Sequence, residues 1–180
     1  MSENYQKYLK PIIFLASAIA FIQYLVVQST GVEDIWSYIS NSVVVVSAIS
    51  FLYVEWGWRL NPFEKLPKLK KQYKGTLKYN YKNKPGEKPI ELKIKQTLFS
   101  IRVTSKTDIN KSSTIIGNIV IENDEYVLYY SYRTSPDLAI KNNPIQHGTC
   151  RIILDDIHEL KGCYWTDRNT TGDMFLKAIN

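Results

Sequence analysis

The sequence predicts a membrane-anchored all-β protein, with two N-terminal transmembrane helices followed by a compact eight-stranded antiparallel β-barrel of the lipocalin-like meander type. Three observations predict this fold class. Two long apolar stretches lie within residues 1–59, an alternation of apolar and polar residues begins at Tyr73, and no later stretch has helical periodicity long enough for a crossover helix. The 13 tyrosines and four tryptophans among the 180 residues also favour strands over helices.

The two apolar stretches, Pro11–Val27 and Ile39–Trp58, are long enough to span a membrane, since a span needs about 20 residues with a lower limit near about 17. Lysines precede the first stretch and basic residues follow the second, whereas the connecting loop, residues 28–38, contains no Lys or Arg. Basic residues stay on the cytoplasmic side, so we expect a two-pass protein with both termini in the cytoplasm. A signal peptide is the alternative for the first stretch, but no small-residue cleavage site follows it.

Composition divides the chain into three parts. Residues 1–59 are the predicted two-helix transmembrane anchor, residues 60–72 a linker, and residues 73–180 a cytoplasmic β-barrel sensor domain. The linker contains Pro62 and Pro67, which stiffen the chain. We therefore expect the β domain to be held close to the membrane.

Short strands connected by turns follow residue 72. A turn is expected at Lys84–Pro89, where two prolines and a glycine interrupt the alternation, a loop at Ser135–Gln146, and a bulge or bend at Gly117. The predicted strands are Tyr73–Lys82, Ile90–Thr97, Leu98–Ser105, Thr114–Glu122, Glu125–Thr134 and Thr149–Leu154, followed by the two arms of a hairpin within Leu160–Leu176. Closure into a barrel removes strand edges, and a two-sheet sandwich is the alternative.

No catalytic constellation is evident in the sequence. Two histidines, His147 and His158, and two cysteines, Cys150 and Cys163, do not match the ligand spacing of a zinc site. Neither a glycine-rich phosphate loop nor a nucleophile elbow is present. We therefore expect a binding protein without enzymatic activity, cofactor or metal. The two cysteines are expected as free thiols in a reducing compartment, and a disulfide between neighbouring strands is the alternative.

The charge and the aromatic content indicate an anionic ring system as ligand. The net charge is +6, arginine offers a fixed fork for phosphate oxygens, and tyrosine offers a stacking face for a base. Strand alternation argues against one arginine as a phosphate ligand. Arg102 lies between Ile101 and Val103 and points outward if those two face the core.

Three short motifs carry a resemblance to a known family. They are YKG at Tyr73–Gly75, HGT at His147–Thr149 and G-x-Y-W-T-D-R at Gly162–Arg168. Together with two N-terminal spans and an all-β domain of this size, they make the chain resemble the two-transmembrane, β-strand-rich effectors of bacterial CBASS anti-phage defence, the CD-NTase-associated protein 15 family.

The resemblance implies a mechanism. The barrel would bind a cyclic di- or oligonucleotide made by a partner nucleotidyltransferase, and the protein would then self-associate. Its transmembrane segments would disrupt the lipid bilayer of the bacterial inner membrane, so that the infected cell dies or stops growing. No DNA or RNA polymer is an expected partner.

Eight residues are the predicted ligand site under this resemblance. Tyr79, Tyr130, Tyr132 and Tyr164 are expected to stack on bases or line the pocket, Arg102, Arg151 and Arg168 to bind phosphates, and Thr166 to donate or accept a hydrogen bond. Two other functions remain open. A membrane-anchored lipocalin-like binder of an apolar ligand would have a pocket without buried arginines, and a structural membrane protein would have a filled barrel.

Overall fold

The computed structural model describes residues 13–14, 17–25, 35–108, 110–136 and 145–179, with the backbone alone for residues 35–42, 135 and 136. These residues belong to two compact units. One contains the described residues up to Glu64 together with Thr97–Phe99, and the other contains Lys65–Gln96 and the described residues from Ser100 onward.

The N-terminal unit is helical. Residues 17–25 are helical, helix α1 comprises Ile35–Glu55, and a 3-10 helix follows at Gly57–Leu60. The side chain of Asn61 donates a hydrogen bond of 2.8 Å to the Tyr53 hydroxyl. Within the same unit, the Leu98 amide donates to the Val54 carbonyl oxygen at 3.0 Å.

The two predicted membrane spans fall partly outside the described residues. Much of Pro11–Val27 is not described, and Ile39–Trp58 begins in the part described by its backbone alone. Among the residues that the structure does describe, no helix is both long and apolar enough to cross a membrane. The anchor and its orientation therefore stay predictions.

The second unit is a closed barrel of eight antiparallel strands, which confirms the barrel and excludes the sandwich. Each strand pairs with its neighbours along the chain, and β1 pairs with β8 to close the barrel. The strands are β1 Gln72–Tyr81, β2 Lys84–Gln96, β3 Ile101–Lys106, β4 Asn110–Glu122, β5 Glu125–Pro136, β6 Gln146–Ile153, β7 Glu159–Thr166 and β8 Thr171–Ala178.

Barrel closure depends on a close approach of β1 and β8. Gly75 stands opposite Leu176, and Leu77 stands opposite Met174. A Cβ atom on Gly75 would overlap the carbonyl oxygen of Phe175. Glycine therefore lets these two strands meet at this point.

The predicted turn at Lys84–Pro89 is wrong, because these residues form the first part of β2. The turn consists of Lys82 and Asn83, which have φ values of 51° and 61°, as a two-residue hairpin turn requires. The register between β2 and β3 begins only at Glu91. Residues 84–90 consequently have one strand neighbour among the described residues, and their prolines occupy an edge where a missing N–H is tolerated.

The predicted irregularity near Gly117 lies a little earlier in the chain. The register between β4 and β5 shifts between Thr114 and Ile116, so Ile115 is the extra residue of a bulge. The Thr114 hydroxyl accepts a hydrogen bond from the Val103 amide and donates one to the Val103 carbonyl oxygen, both at 2.8 Å. A side chain thus replaces backbone pairing where β4 departs from β3.

The apolar core fills the end of the barrel where the chain enters β1. Its fully buried members include Leu92, Leu128 and Leu160. The buried Gln96 ties the entering chain to this end, since its Oε1 accepts from the Leu69 amide at 3.0 Å and its Nε2 donates to the Pro67 carbonyl oxygen at 2.8 Å. This end is closed, and the opposite half of the barrel encloses a cavity.

Candidate functional site

A cavity of about 450 Å³ occupies the half of the barrel that carries the β1–β2, β3–β4 and β7–β8 turns. Six of the eight residues predicted to contact a ligand line it: Tyr79, Tyr130, Tyr132, Tyr164, Thr166 and Arg168. The lining also includes residues that the sequence analysis did not select, among them Tyr81, Lys88, Ser105, Asn110, Ser112 and Gln146.

Each of the four lining tyrosines predicted from the sequence stands opposite a glycine on a neighbouring strand. A Cβ atom on Gly86 would overlap the ring of Tyr79, and one on Gly148 would overlap the ring of Tyr132. The rings of Tyr79, Tyr132 and Tyr164 therefore occupy the space of the missing side chains and lie along the barrel wall, which keeps the lumen open, whereas the Tyr130 atom nearest to Gly117 is its Cβ. The four pairs are Tyr79–Gly86, Tyr130–Gly117, Tyr132–Gly148 and Tyr164–Gly172.

Two cations of the lining lie over tyrosine rings of β1. The Lys88 Nζ is 5.2 Å from the centroid of the Tyr79 ring, and the Arg168 Cζ is 5.5 Å from the centroid of the Tyr81 ring. Both distances are within the range of a cation–π interaction. Arg168 also donates a long hydrogen bond of 3.5 Å from Nη2 to the Tyr81 hydroxyl.

Lys88 is a desolvated cation. Burial lowers the pKa of its ammonium group, and the Asp108 carboxylate offsets part of this effect. A partly buried ammonium gains more from an anionic partner than one in bulk water does. The Lys88 side of the cavity is therefore suited to an anion.

Three titratable groups of the cavity wall, those of Cys150, Tyr164 and Tyr130, are uncharged. Burial raises the pKa of the Cys150 thiol to about 12 and that of the Tyr164 hydroxyl to about 12. Burial also raises the pKa of Tyr130, whose side chain is almost fully enclosed. These groups are neutral at physiological pH, so they offer hydrogen bonds without repelling an anion.

The turn that carries Arg168 is held by side-chain hydrogen bonds. The Thr166 Oγ1 accepts from the Arg168 and Thr170 amides, each at 3.3 Å. The Asp167 carboxylate accepts from the His147 amide at 3.0 Å, and the Asp167 amide donates to the His147 carbonyl oxygen at 3.0 Å. Thr166 and Asp167 thus position Arg168 at the cavity.

The structure does not bring Arg102 and Arg151 to the cavity. Arg102 is exposed between the inward-facing Ile101 and Val103. Arg151 follows the buried Cys150 and lies on the outer wall, where it binds a carboxylate instead.

On that outer wall, Arg151 is paired with Glu122. Its Nη2 and Nε are 2.6 Å and 2.9 Å from the Glu122 Oε2, and its Nε is 3.0 Å from the Tyr129 hydroxyl. The hydrogen bond from Arg151 lowers the pKa of Glu122. Both cysteines are free, as predicted, with Cys150 buried and Cys163 partly exposed.

Lys88 is the functional candidate that the sequence analysis missed, although the alternation contained it. The inward positions of β2 are Ile94, Leu92 and Ile90, and continuing by twos reaches Lys88. Pro85 and Pro89 make this alternation hard to recognise in the sequence, because prolines are typical of turns. Asn110 was missed for a related reason, since β4 begins four residues before the predicted start at Thr114.

Comparison with known proteins identifies the family of this barrel. Residues 64–178 match the family model described as Cap15, cyclic dinucleotide receptor domain. The chain is also similar to CD-NTase-associated protein 15 of Staphylococcus schleiferi, with 33% identity over 168 residues that cover 91% of each chain. Both matches confirm the resemblance drawn from the three sequence motifs, and the chain belongs to the Cap15 family.

Proposed function

We propose that this chain is a CBASS effector whose barrel binds a cyclic dinucleotide in the cavity described above. The observation that carries the proposal is the pair of cations, Lys88 and Arg168, each held over a tyrosine ring at a cavity within a Cap15 receptor domain. A functional link to a cyclic-nucleotide-producing nucleotidyltransferase follows from this ligand.

The chemistry of the lining matches the parts of a cyclic dinucleotide. Such a ligand has two anionic phosphates, which Lys88 and Arg168 would bind, and two bases, which tyrosine rings would stack on. Amide and hydroxyl side chains, such as those of Asn110 and Ser112, also line the cavity, where a base edge would meet them. The volume of about 450 Å³ is in the usual range for small-ligand sites, about 300–1,000 Å³.

The two cations of the lining argue against the alternative of an apolar ligand. A lipocalin-like carrier would bury its ligand against Lys88 and Arg168 without supplying an anion. Burying a charge without a partner is costly. The cavity itself also argues against a barrel that serves only as a structural support.

The proposal includes the predicted membrane anchor and no catalytic step. Residues 1–59 would place the protein in the bacterial inner membrane with both termini in the cytoplasm, supported by the two apolar stretches and their basic flanks. Anchoring confines the chains to two dimensions and raises their effective concentration. Ligand binding would then favour the self-associated state, and the clustered N-terminal segments would disrupt the lipid bilayer.

Growth and membrane integrity test this function directly. The full chain is expressed with an active cyclic-dinucleotide synthase, with a catalytically dead synthase, or alone. Growth arrest and uptake of a membrane-impermeant dye are expected only with the active synthase. The double variant Lys88→Met/Arg168→Met should abolish both effects at an unchanged protein level, whereas the exposed Lys95→Met should not.

Two results would contradict the proposal. Arrest that is independent of the synthase would show that no cyclic nucleotide controls the protein. Full toxicity of the Lys88→Met/Arg168→Met variant would show that this cavity is not the receptor site.

A further inference from the structure

The second half of β4 has an edge that no strand covers among the described residues. The registered pairs between β3 and β4 end at Ser113. A methyl group on Gly117 would lie 3.3 Å from the carbonyl oxygen of Ile101, which is the first residue of β3. Asn118–Glu122 therefore run past the end of β3 and are paired with β5 alone.

This open edge is apolar. The side chains of Ile121 and Val120 are 65% and 37% exposed, and Ile116 on the same strand is 70% exposed. Sheet edges are normally protected by charged residues or proline, because unpaired backbone groups otherwise pair with another chain. Residues 115–121 read Ile-Ile-Gly-Asn-Ile-Val-Ile and contain neither, and the one charged residue of the edge, Glu122, is paired with Arg151 of its own barrel. The edge is therefore available for strand pairing.

We propose that Asn118–Glu122 is the self-association surface, and that it pairs antiparallel with the same segment of a second copy about a two-fold axis at Val120. This inference rests on the proposed function, which requires association when ligand is bound. The axis places Val120 opposite its own copy and Ile119 opposite Ile121. Asn118 then stands opposite Glu122.

In this register the segment is complementary to itself, so we infer that the chain that pairs with the open edge is a second copy of the protein. A two-fold interface presents the same patch on both subunits. The two apolar pairings bring β-branched residues together, and such cross-strand pairs stabilise sheets. An amide rather than a second carboxylate faces Glu122, so no like charges meet across the axis.

The same strand contributes to the cavity. Asn110 and Ser112, in the first half of β4, line the ligand site. The bulge at Ile115 separates this half from the open edge. Ligand and second copy would therefore contact one continuous strand, which gives the association a direct structural connection to the occupied cavity.

Disulfide trapping tests the two-fold axis. The Val120→Cys variant of the full chain, in a Cys163→Ser background, is oxidised in detergent with and without cyclic dinucleotide. Paired strands place opposite Cα atoms about 4.5–5.5 Å apart, within the range for a disulfide. A covalent dimer is expected, at least 10-fold more abundant with ligand. Lys93→Cys, exposed on a strand paired on both sides, is the matched control and should remain monomeric.

Charge insertion tests the surface independently. Ile121→Lys and Val120→Lys should each weaken ligand-dependent association at least 10-fold while leaving the affinity for cyclic dinucleotide within 2-fold, as measured by calorimetry. Phe175→Lys provides the control, because Phe175 is an exposed apolar residue of β8, which is paired on both sides. The probes are cyclic di-AMP, cyclic di-GMP and cyclic GMP–AMP.

The outcomes separate this inference from the function on which it rests. Normal association of both lysine variants, with no dimer trapped at Val120→Cys, would overturn the surface and leave the proposed function intact. A wild-type chain that binds a cyclic dinucleotide but does not associate would overturn the association step of the proposed function, and the surface with it.

Discussion

The exchange of Lys88 for methionine is the most informative perturbation of the proposed ligand site. It removes the ammonium group and keeps an unbranched side chain of similar length over the Tyr79 ring. Two effects of opposite direction are expected. Ligand affinity should fall because a phosphate loses its cation, whereas the barrel should be as stable as before or more stable, because a half-buried charge no longer has to be desolvated.

The size of the affinity loss follows from the electrostatics of the site. A cation about 4 Å from a phosphate has a Coulomb energy of about 4 kcal/mol at an effective dielectric constant of about 20. Desolvation of the phosphate offsets part of it, and charge-assisted hydrogen bonds contribute about 1.5–3 kcal/mol. Because Lys88 is already partly desolvated in the free barrel, we expect the upper part of this range, or about 100-fold in Kd.

Titration calorimetry of the full chain in detergent measures this loss, with the cyclic dinucleotide that binds the wild type most tightly. Lys95→Met is the matched control, since it removes the same charge from the outer face of the same strand, and it should change Kd less than about 2-fold. Thermal unfolding reports stability in parallel. A Lys88→Met variant that is folded and binds within 2-fold of wild type would refute the reasoning.

The pH dependence provides a second readout of the same residue. Lys88 is charged below its pKa, and burial lowers that pKa from the ordinary 10.5. Wild-type affinity should therefore fall as the pH rises through this lowered pKa, and the Lys88→Met variant should lack that phase. Tyr164 and Cys150 do not interfere, because burial raises the pKa of each to about 12.

Three further predictions concern the surroundings of the cavity. Arg151→Ala should leave ligand affinity unchanged and lower Tm by at most about 5 °C at neutral pH; the pKa of Glu122 is lowered in the folded state, so this difference in Tm should disappear as the pH falls through that pKa. Thr166→Val removes the acceptor of two backbone amides and should reduce the free energy of unfolding by about 1–3 kcal/mol in chemical denaturation. Gly86→Ala should turn the Tyr79 ring into the lumen and weaken ligand binding at least about 10-fold. Circular dichroism would verify that the fold is retained, and an unchanged affinity would show that the ring does not move into the lumen.

Strand alternation made most of the barrel predictable. Leu160, Tyr164 and Thr166 lie two or four residues apart in the first arm of the predicted hairpin, so alternation places them on one face, and in β7 they face the interior of the barrel. The same rule places Arg151 outside, because it lies between Cys150 and Ile152, which are both buried. Arg151 is predicted as a phosphate ligand because it is an arginine, without regard to strand alternation. Residue type does not determine whether a side chain points into or out of the barrel.

Other features depend on contacts between strands that are distant in the sequence. Whether a proline precedes β2 or lies within it depends on how far β1 pairs with β2, and only the register supplies that information. The pairing of Tyr132 with Gly148 likewise requires the alignment of β5 with β6 across a long connection. The sequence therefore predicted four of the five tyrosines that line the cavity and missed Tyr81. It did not predict that glycines opposite three of these rings keep the lumen open.

Closure of the barrel by β1 and β8 also determines when the site comes into existence during biosynthesis. Tyr79 lies on the first strand, whereas Arg168 immediately precedes the last one. A chain is made from its N-terminus, so β1 has no second partner until β8 has left the ribosome. A nascent or truncated chain without β8 consequently has an open lumen and one wall of the cavity missing. Such a chain should therefore not bind the proposed ligand, and only molecules that include β8 are expected to do so.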